Sequence, residues 1–194
     1  MKYLIPSCIL AAFFWFGCQG PTNHKNEPDA KTPNLPSQNL IKRGAYLVTI
    51  SGCNDCHSPK KMGPNGPEII KELMLSGYPG KQAAPNFDQV TGNPGFSMFV
   101  PDLTAAHGPW GTSFAANLTP DESGIGNWNL EQFKIALTQG KYKGMATGRP
   151  LLPPMPWPNY IHMEEEDISA IFAYLKSIPP VHNVVPAPIP PGKH

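Results

Sequence analysis

The residues of this sequence with the clearest capacity for chemistry are five consecutive ones, Cys53-Asn54-Asp55-Cys56-His57. Two cysteines separated by two residues place both thiols on one turn of a helix, and a histidine directly follows the second cysteine. Thiols at this spacing can add to the two vinyl groups of a haem, and the adjacent imidazole can then bind the iron as proximal ligand. The motif therefore predicts a covalent haem c attached through Cys53 and Cys56, with His57 as an axial ligand of the iron.

Two other kinds of site use the same Cys-x-x-Cys spacing. Half of a structural zinc site would need a second cysteine pair, but the two remaining cysteines are Cys8 and Cys18, both near the start of the sequence. A thioredoxin-like redox pair would need a βαβ context, which the surrounding residues do not predict. The motif occurs once, so we expect one haem.

The second axial ligand decides what such an iron can do. A six-coordinate haem suits an electron carrier, whereas an open position suits a small-ligand sensor or a peroxidase-like enzyme. Met155 is the preferred ligand because flanking prolines fix the backbone φ angles and present its thioether with little loss of entropy. These prolines are Pro153, Pro154, Pro156 and Pro158. The other candidates, with Met145 as the reserve, are Met62, Met74, Met98, Met145, Met163, His107 and His162.

The first 18 residues have the composition of an export signal. Lys2 precedes an apolar run over residues 3–16 that is too short to span a bilayer and fits a secretory leader. Gly17 before Cys18 resembles the cleavage site of bacterial lipoproteins, in which the cysteine thiol is lipidated. We therefore expect a signal peptide over residues 1–17 and a lipid anchor at the periplasmic or outer side of a bacterial membrane. An ordinary signal peptide and an uncleaved amphipathic anchor are the alternatives.

Composition separates the rest of the chain into segments. Residues 18–38 contain few large apolar side chains and are predicted to be a flexible linker. A single domain is expected over residues 39–182, with an extended loop insertion at 58–110 and a proline-rich tail at 183–194. The 25 prolines and 18 glycines favour short helices joined by long loops.

Charge limits the partners. The sequence has 15 basic and 14 acidic residues, a net charge of +1. This balance is far from the basic surface of a nucleic-acid binder, so we expect partners to be proteins and a membrane. Several lysines are candidates for a surface that steers an acidic partner, although scattered surface charge is an equal alternative. They are Lys42, Lys60, Lys61, Lys141 and Lys143.

Apolar spacing predicts three helices, over residues 41–50, 129–139 and 164–177. The second should begin with a capping box formed by Asn129 and Gln132 and should stop at Gly140. The third begins with acidic side chains that the positive end of the helix dipole favours. Within the predicted insertion, a short helix over 67–75 and a short strand over 96–100 are expected.

These features together resemble a class I cytochrome c. More narrowly, they are similar to the cytochrome c domains in the cytochrome subunits of membrane alcohol and gluconate-type dehydrogenases. The resemblance covers residues 40–57 and 111–182. Its matching stretches are RGAYL at 43–47, NLTPD at 117–121, GIG-x-W at 124–128, PMPWP at 154–158 and AYLKSIPPV at 173–181.

The resemblance implies an all-α cytochrome c fold and a single haem with His57 and Met155 as axial ligands. It implies electron transfer rather than catalysis. It also favours contacts from Trp128 and Arg149 to the haem propionates, with packing for Trp128 and solvent exposure for Arg149 as equal alternatives. The implied partners are a donor dehydrogenase and an acceptor oxidase or another cytochrome. Residues 58–110 form a longer stretch than the corresponding part of that family, whose subunits usually carry three haem domains, so the dehydrogenase partnership stays open.

Replacing Cys18 with serine should release soluble, haem-containing protein, because the thiol that would carry the lipid is lost. Membrane and soluble fractions of the producing cells can be compared for haem-stained protein. Cys8→Ser, inside the leader, is the matched control and should leave the protein in the membrane fraction. A wild-type protein that is already soluble after export would contradict the lipid anchor.

Overall fold

Four α-helices and five short strands build the described part of the chain, residues 36–87 and 95–192 of a computed structural model. The helices are α1 (Gln38–Ile50), α2 (Cys53–His57), α3 (Leu130–Gln139) and α4 (Glu165–Ser177). The strands are β1 (Lys60–Gly63), β2 (Gly66–Ile69), β3 (Met98–Phe99), β4 (Ala105–Gly108) and β5 (Gly111–Phe114). The leader, Cys18 and the linker as far as residue 35 lie outside the described residues, so their predictions are not tested.

The three predicted helices are confirmed. α1 begins three residues earlier than expected because the Ser37 hydroxyl accepts a hydrogen bond from the Leu40 amide at 3.2 Å. α3 has the predicted capping box, with Asn129 and Gln132 bonded to each other's backbone amides. It ends at Gly140, whose φ of 61° lies in the left-handed region that favours glycine.

A close crossing of α1 and α4 organises the core. Gly44 lies against the Ala170 carbonyl of α4, with no room for a side chain between the two backbones. Arg43, its neighbour, makes two hydrogen bonds to the Asp167 carboxylate, at 2.9 and 3.0 Å. The buried side chains around this crossing are Leu47, Val48, Leu75, Ile125, Phe133, Ile168, Ala170, Ile171, Leu175 and Ile178.

Two small antiparallel sheets correct the all-α expectation. β1 pairs with β2, while β3, β4 and β5 form the second sheet in that order. The helix predicted over 67–75 is wrong, since that segment contains β2 and a 3₁₀ turn at Lys71–Leu73. The Gly-Pro-Asn-Gly stretch at 63–66 makes a tight hairpin turn, and the pairing that it imposes overrides the local helix tendency. The strand predicted over 96–100 is present, but only as Met98–Phe99.

The chain after α4 stays hydrogen-bonded to the domain. Asn183 donates to the carbonyls of Ser76 and Tyr78, at 2.7 and 2.8 Å. Further on, Ile189 exchanges two backbone hydrogen bonds with Thr112 of β5. The segment predicted as a tail is therefore tied to the fold as far as Ile189. Within residues 36–87 and 95–192, no helix has the length and apolar character required to cross a membrane.

Gly44→Ala should destabilise the protein, because the new Cβ would lie 2.6 Å from the Ala170 carbonyl carbon and 2.7 Å from Tyr174 Cβ. The helices must then separate, and we expect the free energy of unfolding to fall by about 1–3 kcal/mol despite the better helix propensity of alanine. Urea unfolding measures this loss. Lys42→Ala, exposed on the same helix, should change stability by less than about 0.5 kcal/mol. Equal effects of the two substitutions would contradict the close crossing.

Candidate haem site

The attachment motif forms α2, a short helix that follows α1 after a single sharp turn. Gly52 makes this turn with a φ of 68°, and the Asp55 amide bonds back to its carbonyl at 2.9 Å. Cys53 and Cys56 are free and half-buried on one helical turn. The local fold thus presents both thiols side by side, as the sequence spacing predicts.

Burial keeps both thiols protonated. It raises the pKa of Cys53 to about 11 and also raises the pKa of Cys56. Reactive or redox-active cysteines have lowered pKa values, so this environment disfavours a thioredoxin-like pair. Among the described residues no group of three or more histidine, cysteine or acidic side chains could hold a metal ion. Protonated, adjacent thiols agree with a role in covalent attachment.

The structure holds the His57 imidazole in one neutral tautomer. Its Nδ1 lies 2.8 Å from the Ala116 carbonyl oxygen, which can only accept, so Nδ1 carries the proton. This bond fixes the tautomer and leaves the Nε2 lone pair for a metal. Burial lowers the pKa of His57, which further favours the neutral imidazole. The two thiols and this imidazole fit a covalently bound haem c.

Backbone hydrogen bonds between residues 75–78 and 115–118 fix the position of the Ala116 carbonyl. The Tyr78 amide donates to Ala115 at 2.9 Å, and the Leu118 amide donates to Leu75 at 2.8 Å. Between these bonds, the Gly77 amide donates to the His57 carbonyl at 2.8 Å. Gly77 has a φ of 77°, and its α-carbon passes too close to residues 115 and 116 for any side chain. Residues 75–78 of the predicted insertion are thus part of the wall that orients His57.

The NLTPD stretch anchors that wall to the end of the chain. The Asn117 side chain accepts from the Thr119 amide and hydroxyl, at 2.9 and 2.8 Å, and donates to the Val181 carbonyl at 2.9 Å. Lys176 of α4 similarly donates to the carbonyls of Ile125 and Gly126, at 3.3 and 2.5 Å. These stretches from the resemblance act as framework and do not themselves supply reactive groups.

The segment before Met155 is fixed at two points. The Leu151 amide donates to the Gly140 carbonyl at 2.7 Å. The Ser113 hydroxyl of β5 donates to the Pro153 carbonyl at 2.6 Å. Met155 itself is half-buried and lies outside the buried core cluster.

The segment after Met155 returns to the attachment helix. The Trp157 ring packs on the α-carbon of Gly140, at the end of α3. Tyr160 then donates its hydroxyl to the Ser51 carbonyl at 3.1 Å, two residues before Cys53. Burial, followed by the effect of both cysteines, raises the pKa of Tyr160, in agreement with its position beside α2. The loop that carries Met155 is therefore fastened beside the attachment motif.

The other sulfur and imidazole candidates are placed differently. Met74 and Met163 pack against the core. The side chains of Met62, Met98 and Met145 are exposed by 73%, 38% and 50%. His162 is exposed, whereas His107 is hydrogen-bonded to Thr112 and stacked on Phe87. Of the six methionines that follow His57, Met155 alone is neither a core residue nor a largely exposed one.

The two candidates for propionate contacts have separate surroundings. Trp128 is partly buried and packs against the core. Arg149 is exposed, with its guanidinium 4.0 Å from the centre of the Tyr142 ring and one N–H donated to the Pro150 carbonyl at 2.9 Å. Arg149 also lines a groove that includes Trp110. None of these contacts tests the propionate assignment, which stays a prediction.

Lys60 is not a free surface lysine, in contrast to one reading of the sequence. Its ammonium donates to the carbonyls of Asn54, Asp55 and Ser58, at 3.3, 2.7 and 3.0 Å, and to that of Asp102 at 2.9 Å. Sequence reasoning missed this role because three acceptors belong to the helix end and the fourth is 42 residues away. In the sequence, the only sign of this role was the position of a lysine shortly after the motif.

Comparison with known proteins finds similarity to cytochrome subunits of several dehydrogenases. The chain is 28% identical over 155 residues to the fructose dehydrogenase cytochrome subunit of Gluconobacter japonicus, covering 79% of this chain and 24% of the relative. It is 30% identical over 148 residues to the gluconate 2-dehydrogenase cytochrome c subunit of Pantoea cypripedii, covering 76% and 24%. It is 31% identical over 148 residues to the cytochrome c subunit of alcohol dehydrogenase (quinone) of Gluconobacter oxydans (strain 621H), covering 76% and 22%.

The chain is thus a distant homologue of dehydrogenase cytochrome c subunits, and it spans about a quarter of the length of these relatives. No protein-family model matches it. The homology supports a cytochrome fold, implies a covalently bound haem c and points to electron transfer.

Proposed function

We propose that this protein carries one covalent haem c and transfers single electrons between redox proteins at the outer side of a bacterial membrane. The observation that carries the proposal is the hydrogen bond from His57 Nδ1 to the Ala116 carbonyl, beside two free thiols. This arrangement leaves Nε2 for iron and both thiols for the haem vinyl groups. When bound, the haem supplies an iron that can gain and lose one electron.

Met155 supplies the second axial ligand in this proposal. Its loop is fastened to β5 through Ser113 and to the end of α1 through Tyr160, so the thioether needs little ordering to bind iron. A thioether paired with an imidazole raises the reduction potential, which suits a carrier. It also closes the position that a sensor or peroxidase-like enzyme would keep open.

Around the ligands, Trp128 and Arg149 are proposed to hold the haem propionates. The indole N–H and the guanidinium are donors that carboxylates accept. Stacking on Tyr142 restrains the Arg149 guanidinium while only one of its donors is used within the described structure. The side chain therefore keeps donors for an anion.

The proposed partners are a donor dehydrogenase and an acceptor oxidase or a second cytochrome. The relatives belong, by their names, to fructose, gluconate and alcohol dehydrogenases, so a sugar or alcohol dehydrogenase is the first donor to test. In this proposal a lipid on Cys18 and the linker hold the haem domain near the membrane surface.

Cys53→Ala combined with Cys56→Ala should abolish covalent haem, because no thioether bond can form. Wild-type protein on a denaturing gel should retain haem-dependent peroxidase stain, and the double variant should lose all of it. Mass spectrometry of the intact wild-type chain should give the mass of one haem. Stain that survives the double substitution, or a mass with two haems, would contradict the site.

Met155→Ala should leave covalent haem in place but remove the weak near-infrared band that arises from sulfur-to-iron charge transfer. The reduced variant should bind carbon monoxide and have a lower potential, since the thioether is gone. Absorption spectra and a redox titration measure these changes, with Met145→Ala as the matched control. If Met145→Ala loses the band instead, Met145 is the ligand. If the reduced wild-type protein binds carbon monoxide readily, the carrier assignment fails in favour of a sensor or peroxidase-like role.

A further inference from the structure

The ammonium group of Lys60 occupies an unusual place at the end of the attachment helix. It donates to the carbonyls of Asn54 and Asp55, the two residues between the cysteines, and to that of Ser58, which follows His57. Its fourth acceptor is the Asp102 carbonyl, in the turn between β3 and β4. A cation at the carboxyl end of a helix is favourable because the carbonyl dipoles point toward it. The charge is thus held in a fixed position beside the motif.

Within residues 36–87 and 95–192, no carboxylate pairs with this charge. All four acceptors of Lys60 are backbone carbonyls, and the ion pairs of the described residues do not include it. The nearby Asp102 carboxylate instead accepts from the amide and hydroxyl of Thr104. The exposed Asp55 side chain lies toward Gly52, at the opposite end of α2 from the lysine. Among the described acidic residues Lys60 therefore has no partner, and its positive charge lies in a half-buried position.

We propose that Lys60 sets the reduction potential of the attached haem by holding a fixed positive charge against the helix that carries Cys53, Cys56 and His57. Oxidation of the iron adds one positive charge, which the ammonium repels, so Lys60 favours the reduced state and raises the potential. A half-buried charge is screened less by water and salt than an exposed one. This inference rests on the proposed function, and Lys60 acts as a positioning and electrostatic residue without touching the iron.

Three variants separate charge from hydrogen bonding. Lys60→Gln keeps an N–H donor in the side chain that faces the backbone carbonyls but removes the charge. Lys60→Arg keeps the charge and changes the shape of the donor. Lys61→Gln removes the same charge from the next residue of β1, which is exposed and opposite Glu68 in the hairpin. The midpoint potential of each purified holoprotein is measured by redox titration, with the haem-stained fraction and urea unfolding measured on the same samples.

The proposal expects a lower midpoint potential in Lys60→Gln and little change in Lys60→Arg and Lys61→Gln. It is overturned if Lys60→Gln loses stability but keeps the wild-type potential, or if Lys60→Arg falls as far as Lys60→Gln. Lys60→Met provides a second neutral variant should Lys60→Gln not accumulate. If both neutral variants fail to fold while Lys60→Arg folds with an altered potential, the role is structural and the proposal is wrong.

Failure of the underlying function is distinguishable in the same experiment. Wild-type protein without covalent haem would overturn the proposed function and this inference with it. Wild-type protein with covalent haem, but with a potential insensitive to the charge at residue 60, would overturn only the inference.

Discussion

The hydrogen bond from His57 Nδ1 to the Ala116 carbonyl is the interaction on which the rest of the site depends. It selects one tautomer, fixes the plane of the imidazole and leaves a single nitrogen for a metal. Because the acceptor lies 59 residues from the motif, the site exists only when residues 115–118 are brought against α2. Gly77 makes this possible, since its α-carbon can pass close to residues 115 and 116 while its amide binds the His57 carbonyl.

The remaining framework holds the two sides of the site together. α1 and α4 cross at Gly44, and Tyr160 ties the loop after Met155 to the end of α1, directly before the attachment turn. Ser113 holds the part of this loop that precedes Met155, through a hydrogen bond to the Pro153 carbonyl. If Met155 binds the iron as proposed, a loop fastened on both sides of it suits an electron carrier, because ligands that move little need little reorganisation when the charge changes.

The homology at 28–31% identity fits matching stretches that build the framework of the site as well as those that would supply ligands. Besides the attachment motif, the stretches behind the resemblance include Asn117, which ties residue 119 to Val181, and Lys176, which binds two loop carbonyls. Lys60 extends this framework into residues 58–110, where it links α2 to the turn at Asp102. The segment that interrupts the resemblance thus contacts both His57 and α2.

The sequence by itself predicted the attachment chemistry and determined three of the helices, because both are encoded locally. The spacing of Cys53, Cys56 and His57 places three groups on one turn, and the capping box at Asn129 marks a helix start without help from distant residues. Only the tertiary structure decided the tautomer of His57, the acceptors of Lys60 and the pairing that replaced a predicted helix at 67–75 with a hairpin. Each of these depends on a backbone group that a reversal of the chain brings near. Because every residue has a backbone carbonyl, the sequence does not show which one becomes the acceptor. The same reason leaves Met155 a prediction: prolines show that its loop is stiff, but proximity to iron is a tertiary property.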